Sequence, residues 1–374
     1  MELEFTPDQE ELRDSVRSVL ARECPPSLVR AVVDDPGKAA GLWHQMVELG
    51  WPALTIPEAA GGIGLGAVEL AVVVEELGRV IAPGPFVATV TQLVPVVREL
   101  GSPEQAAHVL GAVAAGTTTG TLALAERGVT SFDPAEVRTA ATRVGGGWRV
   151  DGHKAGVLSG ADVDELVVIA RVGDSDGIGA FLVARDDTRI EPVESMDPTR
   201  SLVDIVLDGV HVEDDRVLGE PGPDVIEPAR RAVDEAVTAL ALETVGASQA
   251  IFDIALEYAK EREQFGVPIG SFQAIKHKFA DMLVAVERAR ATGYFAAVTL
   301  AEDDPRRSLA ASTAKAAAGD CRRLLAKEGI QILGGIGYTW EHDMHLYVRR
   351  VTADSQLLGT AREHRARIAD LLEV

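Results

Sequence analysis

The last third of the chain carries an apolar seam that strongly constrains its fold. Five large apolar residues recur at alternating spacings of three and four, which places them on one face of an α-helix. They are Phe272, Ile275, Phe279, Met282 and Val286. The preceding segment repeats the pattern at Ile251, Ile254, Ala255 and Tyr258. Because long alanine-rich helices with such seams pack against one another, we predict a helical bundle over residues 223–374.

Two other patterns precede the bundle. Up to about residue 116 the chain reads as helices, beginning at a capping box in Thr6-Pro7-Asp8-Gln9. Residues 117–222 hold short β-type runs separated by turn residues, including a glycine hairpin turn at Val144–Trp148. We therefore predict a mainly α fold with a central β domain: an N-terminal helical domain (1–116), a small β barrel (117–222) and a C-terminal four-helix bundle (223–374).

Composition excludes several functional classes. The 36 basic and 58 acidic residues leave a net charge of −22, which disfavours binding to nucleic acid or to an anionic membrane. Cys24 and Cys321 lie too far apart in sequence for a CxxC motif. The N-terminus does not resemble an export signal, and no uncharged apolar run reaches the ~18 residues of a membrane span. We expect a cytoplasmic protein with no membrane span.

Two local patterns carry little functional weight. The glycine run Gly61–Gly66 follows no predicted strand and misses the GxGxxG spacing, so we interpret it as a loop. His342 and His345 lie three residues apart, but the sequence identifies no carboxylate or thiolate to complete a metal site. We predict no bound metal.

Two helix ends carry a sharper signal. The segment Tyr258–Gln273 places Arg262 and Gln273 on either side of a turn, and the segment Gln331–Tyr338 contains the pair Gly334-Gly335. An arginine fork beside amides and bare backbone suits a pyrophosphate. Ordinary helix caps with a surface arginine would give the same pattern, and the residues alone do not separate the two interpretations.

These segments resemble motifs of the acyl-CoA dehydrogenases. Tyr258–Gln273 matches YxxxRxQFGxPIxxFQ, and Gln331–Tyr338 matches QxxGGxGY. The N-terminal stretches from Pro57 to Gly66 and from Glu75 to Arg79 are similar to PExxGGxGLG and EELG. The resemblance runs along the whole chain in order, and it implies the same three-part architecture.

The resemblance implies an FAD enzyme that oxidises an acyl-CoA thioester to the trans-2-enoyl thioester. A carboxylate removes the α-proton, a β-hydride passes to the flavin, and an electron-transferring flavoprotein is the expected acceptor. In this family, one set of residues holds the adenosine-pyrophosphate half of a neighbouring subunit's FAD. The resemblance therefore implies an oligomer, usually a dimer of dimers. Here the set is Arg262, Phe265, Gln273, Gln331 and Gly335, with Gly334 beside it.

The catalytic base departs from the family pattern. The usual glutamate lies in an EGT triplet, which here reads Leu358-Gly359-Thr360, and leucine cannot accept a proton. Some members draw the glutamate from the helix before YxxxR, where the matching position falls near Ala236. Glu235 and Glu243 are the weak candidates there, although a solvated or ion-paired carboxylate is the more ordinary reading.

The flavin-ring residues also depart from the pattern. The TEPxAGSD loop reads Ala125-Glu126-Arg127-Gly128-Val129-Thr130-Ser131-Phe132-Asp133. Ala125 replaces the threonine that bonds the ring, while Glu126 and Ser131 are retained. The family also packs an aromatic residue and a threonine, in the pattern aromatic-x-Thr, on the flavin. Here Gly156 stands in place of the aromatic residue and Leu158 in place of the threonine. The resemblance assigns the flavin to Ala125, Ser131, Gly156, Leu158 and Thr360, with backbone amides as the remaining donors.

The residues that would bind a neighbouring subunit's FAD are all present, whereas several residues that would hold the flavin ring in this chain are replaced. A subunit of a hetero-oligomer would show this combination. Some actinobacterial relatives that act on steroid side chains are mixed dimers of dimers. We therefore predict a dehydrogenase acting on fatty acyl or sterol side-chain thioesters, as a base-deficient subunit beside a paralogue or as a homo-oligomer with a relocated glutamate. A cofactor-free scaffold with a relic fold, or a flavin oxidase or monooxygenase, remains the alternative.

Overall fold

Helices dominate the structure. It is a computed structural model that describes residues 5–129, 131–173 and 177–374. The helices are α1 (Pro7–Glu23), α2 (Pro26–Asp34), α3 (Ala40–Glu48), α4 (Ala67–Arg79), α5 (Phe86–Ala88), α6 (Val94–Leu100), α7 (Pro103–Ala114), α8 (Ile226–Glu261), α9 (Gln273–Ala301), α10 (Arg307–Leu333), α11 (Met344–Asp354) and α12 (Ala361–Leu371). The predicted capping box opens α1: the Thr6 hydroxyl accepts from the Gln9 N–H, and the Gln9 side chain accepts from the Thr6 N–H.

The strands lie between α7 and α8, apart from one short hairpin. They are β1 (Gly120–Ala123), β2 (Ala140–Val144), β3 (Gly147–Leu158), β4 (Glu165–Val172), β5 (Ile178–Ala184), β6 (Arg189–Pro192), β7 (Leu202–Glu213), β8 (Val217–Gly222), and the hairpin β9 (Glu263–Gln264) and β10 (Val267–Pro268). The predicted fold class, mainly α around a central β domain, is confirmed.

The β domain is one eight-stranded sheet with the order β6-β7-β3-β2-β4-β5-β8, and β1 pairs in parallel with β4. Antiparallel β2 and β3 meet at the pair Val144 and Gly147. Their loop is Gly145-Gly146, and Gly145 has φ +55°, a conformation that glycine adopts without strain. The hairpin predicted at this glycine run is therefore confirmed.

The bundle helices approach closely through small side chains. A cluster of buried alanines joins α8, α9 and α10: Ala241, Ala296, Ala310, Ala314 and Ala318. Phe279, Met282 and Val286 of the predicted seam are buried on α9. Phe272 is 38% exposed, because α9 begins one residue later, at Gln273.

The apolar helix α8 forms part of the core. The stretch Pro223–Glu261 is long and apolar enough to cross a membrane, yet 78% of its most apolar window is buried inside the protein. That burial is typical of a core helix.

Packing divides the chain into two compact units. One comprises Met1–Pro36, Ala71–Pro83 and Val237–Val374, and the other Gly37–Leu70 and Gly84–Ala236. The boundary between them falls inside α8. The three-domain division at residues 116 and 222 stays a prediction.

Candidate functional site

The hairpin β9–β10 presents Phe265 to solvent. Phe265 and Gly266 form its two-residue loop with φ of +55° and +80°, the pattern of a type I′ turn. Phe265 is 93% exposed. A phenylalanine in the left-handed region carries strain, and here that strain places an apolar ring in water. The Ile269 N–H donates to the Arg262 carbonyl at 2.8 Å, which closes the turn.

The end of α10 presents bare backbone. Gln331 is exposed, and the helix stops at Gly334, whose φ is +67°. A Cβ built on Gly334 or Gly335 would meet no atom within 4 Å. The backbone here is therefore open to a ligand.

An ion pair between α9 and α10 shows that Gln273 and Gln331 lie at one end of the bundle. Lys278 of α9 forms an ion pair with Glu328 of α10. Gln273 precedes Lys278 by about 7.5 Å of helix rise, and Gln331 follows Glu328 by about 4.5 Å. Because α9 and α10 run antiparallel through a short connection, both amides lie at the same end.

We call this region the bundle-end surface, and its members are Arg262, Phe265, Gln273, Gln331, Gly334 and Gly335. All six are exposed. Within the described residues, the Arg262 guanidinium makes no ion pair or hydrogen bond. An unpaired guanidinium, two exposed amides and open backbone fit the diphosphate half of a dinucleotide. The residues that the sequence assigned to that half are thus chemically suited to it.

The position of the usual base carries a constrained leucine. Leu358 has φ +48°, and its carbonyl lies 2.8 Å from His364 Nε2. Burial lowers the pKa of His364 to about 3, so the neutral ring donates this bond. Thr360 caps α12, because its hydroxyl accepts from the Glu363 N–H. This loop holds its shape and offers no carboxylate at position 358.

The two weak candidates for the base lie in buried ion pairs. Glu243 is fully buried, and its Oε1 lies 3.2 Å from Arg350 Nη1. Glu235 is 7% exposed, and its Oε2 accepts from Arg98 at 2.5 Å. Neither carboxylate is solvent-exposed, and each is paired with a guanidinium.

We call Ala125, Ser131, Gly156 and Leu158 the ring segment, after the role that the sequence predicted for them. The Ala155 N–H donates to the Ala125 carbonyl at 2.8 Å, which brings the two parts of the segment together. The Gly156 N–H donates to Asp204 Oδ1 at 2.9 Å. The same carboxylate accepts from the Arg127 guanidinium. One backbone amide of the segment is thus already bonded within the chain.

The ring segment does not fit a flavin ring through its side chains. Ala125 and Leu158 carry no hydroxyl, and Leu158 is only 3% exposed. Gly156 has φ +61°, and a Cβ there would meet no atom within 4 Å. The Ser131 hydroxyl accepts from the Asp133 N–H at 3.0 Å, which keeps it in a local turn. Thr130 lies outside the described residues.

A buried ion pair underlies the ring segment. Lys154 is fully buried, and its Nζ lies 2.6 Å from Glu126 Oε1 and 3.2 Å from the Leu124 carbonyl. Glu126 also accepts from the N–H groups of Arg138 and Thr139. Burial lowers the pKa of Lys154 to about 8. Burial alone would raise the pKa of Glu126, but Lys154 outweighs it and holds that pKa below its usual value.

Sequence reasoning noted Glu126 but missed its partner. Lys154 ends the Gly152-His153-Lys154 triplet that marks the segment, so the residue itself was visible. Its pairing was not, because 28 residues separate the two charges. The ion pair between Lys278 and Glu328 was missed for the same reason.

Family models match most of the chain. The model for the acyl-CoA dehydrogenase N-terminal domain matches residues 6–117, and that for the C-terminal domain matches residues 227–372. The chain is 35% identical to acyl-CoA dehydrogenase IpdE2 of Mycobacterium tuberculosis over 363 residues, covering 96% of each protein. It is 32% identical to probable acyl-CoA dehydrogenase fadE25 of Mycobacterium bovis, covering 91% of this chain and 89% of the relative.

Solved structures agree over the full length. The ChsE4-ChsE5 complex from Mycobacterium tuberculosis contains a chain with a TM-score of 0.91 and 26% identity, covering 100% of this chain and 99% of the other. A variant of the Tcur3481-Tcur3483 steroid ACAD gives a TM-score of 0.88 and 32% identity, covering 98% of each chain.

Proposed function

This chain belongs to the acyl-CoA dehydrogenase family, and we propose that it is the base-deficient subunit of an FAD-dependent acyl-CoA dehydrogenase. In this proposal a paralogous partner carries the catalytic carboxylate and the flavin-ring pocket. The bundle-end surface of this chain binds the adenosine-pyrophosphate half of the partner's FAD. The assembled enzyme introduces a trans α,β double bond into an acyl-CoA thioester.

One observation carries the proposal: the Arg262 guanidinium is exposed and has no partner among the described residues, although 58 acidic side chains are present in the chain. An arginine that neutralises nothing in its own chain suits an anion supplied from outside. Gln273 and Gln331 lie at the same end of the bundle and add directional donors. A diphosphate meets all three requirements.

The chemistry assigns each group a task. FAD supplies a hydride acceptor for the Cβ–H bond. The α-proton needs a positioned base, worth about 10²–10⁴ in rate, and the Leu358 side chain cannot accept a proton. This chain therefore contributes binding and orientation, through Arg262, Gln273 and Gln331, while the partner contributes the proton transfer.

The relatives suggest the substrate class and the assembly. The likeness to a steroid ACAD and to the ChsE4-ChsE5 complex supports a steroid-derived acyl-CoA over a simple fatty acyl-CoA, and a complex of two different chains over a homo-oligomer. An electron-transferring flavoprotein is the acceptor we propose. A cytoplasmic location is consistent with each of these.

Purification with and without a paralogue tests the proposal. We expect the chain alone to be colourless and the co-expressed complex to hold about one FAD per pair of chains. Arg262→Ala should weaken FAD retention in that complex by about 10- to 100-fold, since hydrogen bonds to charged groups contribute about 1.5–3 kcal/mol. Arg149→Ala is the matched control, because Arg149 is an exposed arginine paired with Asp151.

Two results would favour the alternatives. A yellow homogeneous chain that reduces a ferrocenium acceptor with an acyl-CoA would defeat the subunit proposal. Glu235→Gln and Glu243→Gln would then identify the base. Unchanged FAD in the Arg262→Ala complex would favour a scaffold.

A further inference from the structure

Strand β3 bulges at the ring segment. The register of the β3–β7 ladder shifts between Lys154 and Val157. Two residues of β3, Ala155 and Gly156, therefore lie opposite the single residue Asp204 of β7, which is the arrangement of a β-bulge. Because a bulge interrupts the ladder, its backbone amides become available to a side chain or to a ligand.

The chain itself uses both amides of this bulge. The Ala155 N–H donates to the Ala125 carbonyl at 2.8 Å, and the Gly156 N–H donates to Asp204 Oδ1 at 2.9 Å. The second oxygen of this carboxylate, Oδ2, accepts from Arg127 Nε at 2.9 Å. Asp204 is 4% exposed, whereas the Arg127 side chain is 68% exposed. The guanidinium thus balances a carboxylate that lies out of water and that holds the Gly156 amide.

A flavin ring would need the donor that Asp204 occupies. Toward a backbone amide, a flavin ring offers carbonyl oxygens and ring nitrogens, which accept hydrogen bonds. An ionised carboxylate also only accepts, and its hydrogen bonds are about twice as strong as those of neutral acceptors. A flavin edge would therefore lose the Gly156 amide to Asp204. Arg127 is the third residue of the segment similar to TEPxAGSD, where the pattern has proline, so its cation is a feature of this chain.

We propose that Arg127 and Asp204 block the ring segment, so that this chain holds no flavin ring of its own. The inference rests on the proposed function in one respect, because it takes the ring segment as the place where a flavin ring would bind. It goes further in naming the contact that excludes the ring. Exclusion then depends on the bond between Asp204 and Gly156, and removal of that bond should open the segment.

The same sheet contains a matched arrangement outside the ring segment. Asp151 Oδ1 accepts from the Gly209 N–H at 2.8 Å, and Asp151 Oδ2 accepts from Arg149 Nε at 2.9 Å. Gly209 has φ +65°, close to the +61° of Gly156. Asp151 lies about 15 Å from Gly156 along β3. Asp151→Ala therefore frees a comparable amide where no flavin is expected, and it is the control.

Riboflavin binding by the full-length chain tests the block. Riboflavin carries the ring without a diphosphate, so the bundle-end surface does not contribute. We expect Asp204→Ala to bind riboflavin at least about 10-fold more tightly than wild type, the scale of one hydrogen bond to a charged group. Asp151→Ala should match wild type. Quenching of riboflavin fluorescence measures binding, and amide hydrogen exchange of the peptide around Gly156 shows whether its N–H is free.

Two further variants keep the test informative if Asp204→Ala misfolds. Arg127 is exposed, so Arg127→Ala should fold, and a carboxylate without its cation should hold the amide less firmly. We expect a gain in riboflavin binding of about 2- to 5-fold, the scale of a partly exposed ion pair. Asp204→Asn should stay blocked, because the amide oxygen of asparagine can still accept from the Gly156 N–H.

Three results would overturn the inference. Faster exchange at Gly156 in Asp204→Ala with unchanged riboflavin binding would mean that the contact only stabilises the bulge. Equal gains for Asp151→Ala and Asp204→Ala would place the binding outside the ring segment. Tight binding of riboflavin by wild type would show that the segment is open. Arg262→Ala in the complex tests the proposed function separately, because riboflavin lacks the diphosphate that Arg262 is proposed to bind.

Discussion

The bundle-end surface and the ring segment, which the sequence predicts to bind different parts of FAD, differ in what each offers to a ligand. The bundle-end surface retains its polar groups and presents them unpaired to solvent, as Arg262 illustrates. The ring segment has alanine and leucine where the family pattern has threonine, and its Ser131 hydroxyl is bonded locally, yet a buried ion pair between Glu126 and Lys154 lies beneath it. The contrast teaches that the groups a segment offers to a ligand and the contacts that hold its backbone are set by different residues. A site can become unsuited to its ligand while the ion pair beneath it still holds the backbone.

Removal of Lys154 tests how much the buried ion pair with Glu126 stabilises the fold around the ring segment. Lys154→Met leaves Glu126 buried without its cation, and we expect a loss of about 3–5 kcal/mol in the free energy of unfolding. Urea unfolding measures it.

Arg149→Met is the control, since its pair with Asp151 is solvent-exposed and should contribute about 0–1 kcal/mol. A loss below about 1 kcal/mol for Lys154→Met would show that the Lys154–Glu126 ion pair does not stabilise the ring segment.

Lowering the pH should destabilise the folded chain through His364, the buried histidine that bonds the Leu358 carbonyl. The folded pKa of about 3 lies below the usual 6.5, so below pH 6.5 the unfolded chain binds a proton that the folded chain refuses. This contribution is complete above pH 6.5 and falls by about 1.4 kcal/mol per pH unit as the pH drops toward 3.

His364→Gln should flatten that slope, because an amide can still donate to the Leu358 carbonyl without titrating. Urea unfolding at pH 7, 6 and 5 checks it, with His108→Gln as the control. Equal slopes for wild type and His364→Gln would contradict the assignment.

A methyl group at Gly156 sharpens the comparison from the side of the ring segment. Gly156→Ala forces a side chain into φ +61° and should cost about 1 kcal/mol of unfolding free energy, despite the open space around it. Gly146→Ala, which also meets no atom within 4 Å but lacks the positive φ, should change stability by less than about 0.5 kcal/mol. Equal effects of the two substitutions would show that the left-handed conformation of Gly156 does not cause the loss of stability.

The smallest expected effect lies on the bundle-end surface. Phe265→Asn should stabilise the isolated chain by about 0.5 kcal/mol, because asparagine tolerates the left-handed region better than phenylalanine. The same variant should lower FAD retention in the complex. Thermal unfolding and flavin absorbance measure the two effects. A destabilised chain with unchanged flavin would mean that Phe265 supports the hairpin and not a ligand.

Local patterns predicted much of the fold. The capping box at Thr6, the glycine hairpin at Val144–Trp148 and the seam on α9 each depend on residues within a few positions of one another. The seam was wrong at its first member, because Phe272 precedes α9. Whether that residue is buried depends on where the helix begins, and the spacing of apolar residues does not state it.

The sequence by itself determined the residue types of the candidate site. It showed that Arg262, Gln273 and Gln331 are present, and that Leu358, Ala125 and Gly156 stand where a base, a hydroxyl and a ring would be expected. These statements concern only which residue type occupies each position, and the sequence gives that directly.

Only the tertiary structure decided which of these groups are available. It enclosed Glu243 with Arg350, and Glu235 with Arg98, and it left Arg262 in solvent. It also placed the Asp204 carboxylate against the Gly156 amide. The physical reason is that burial and pairing depend on side chains far apart in the chain, whose meeting is set by how helices and strands pack and not by their neighbours in sequence.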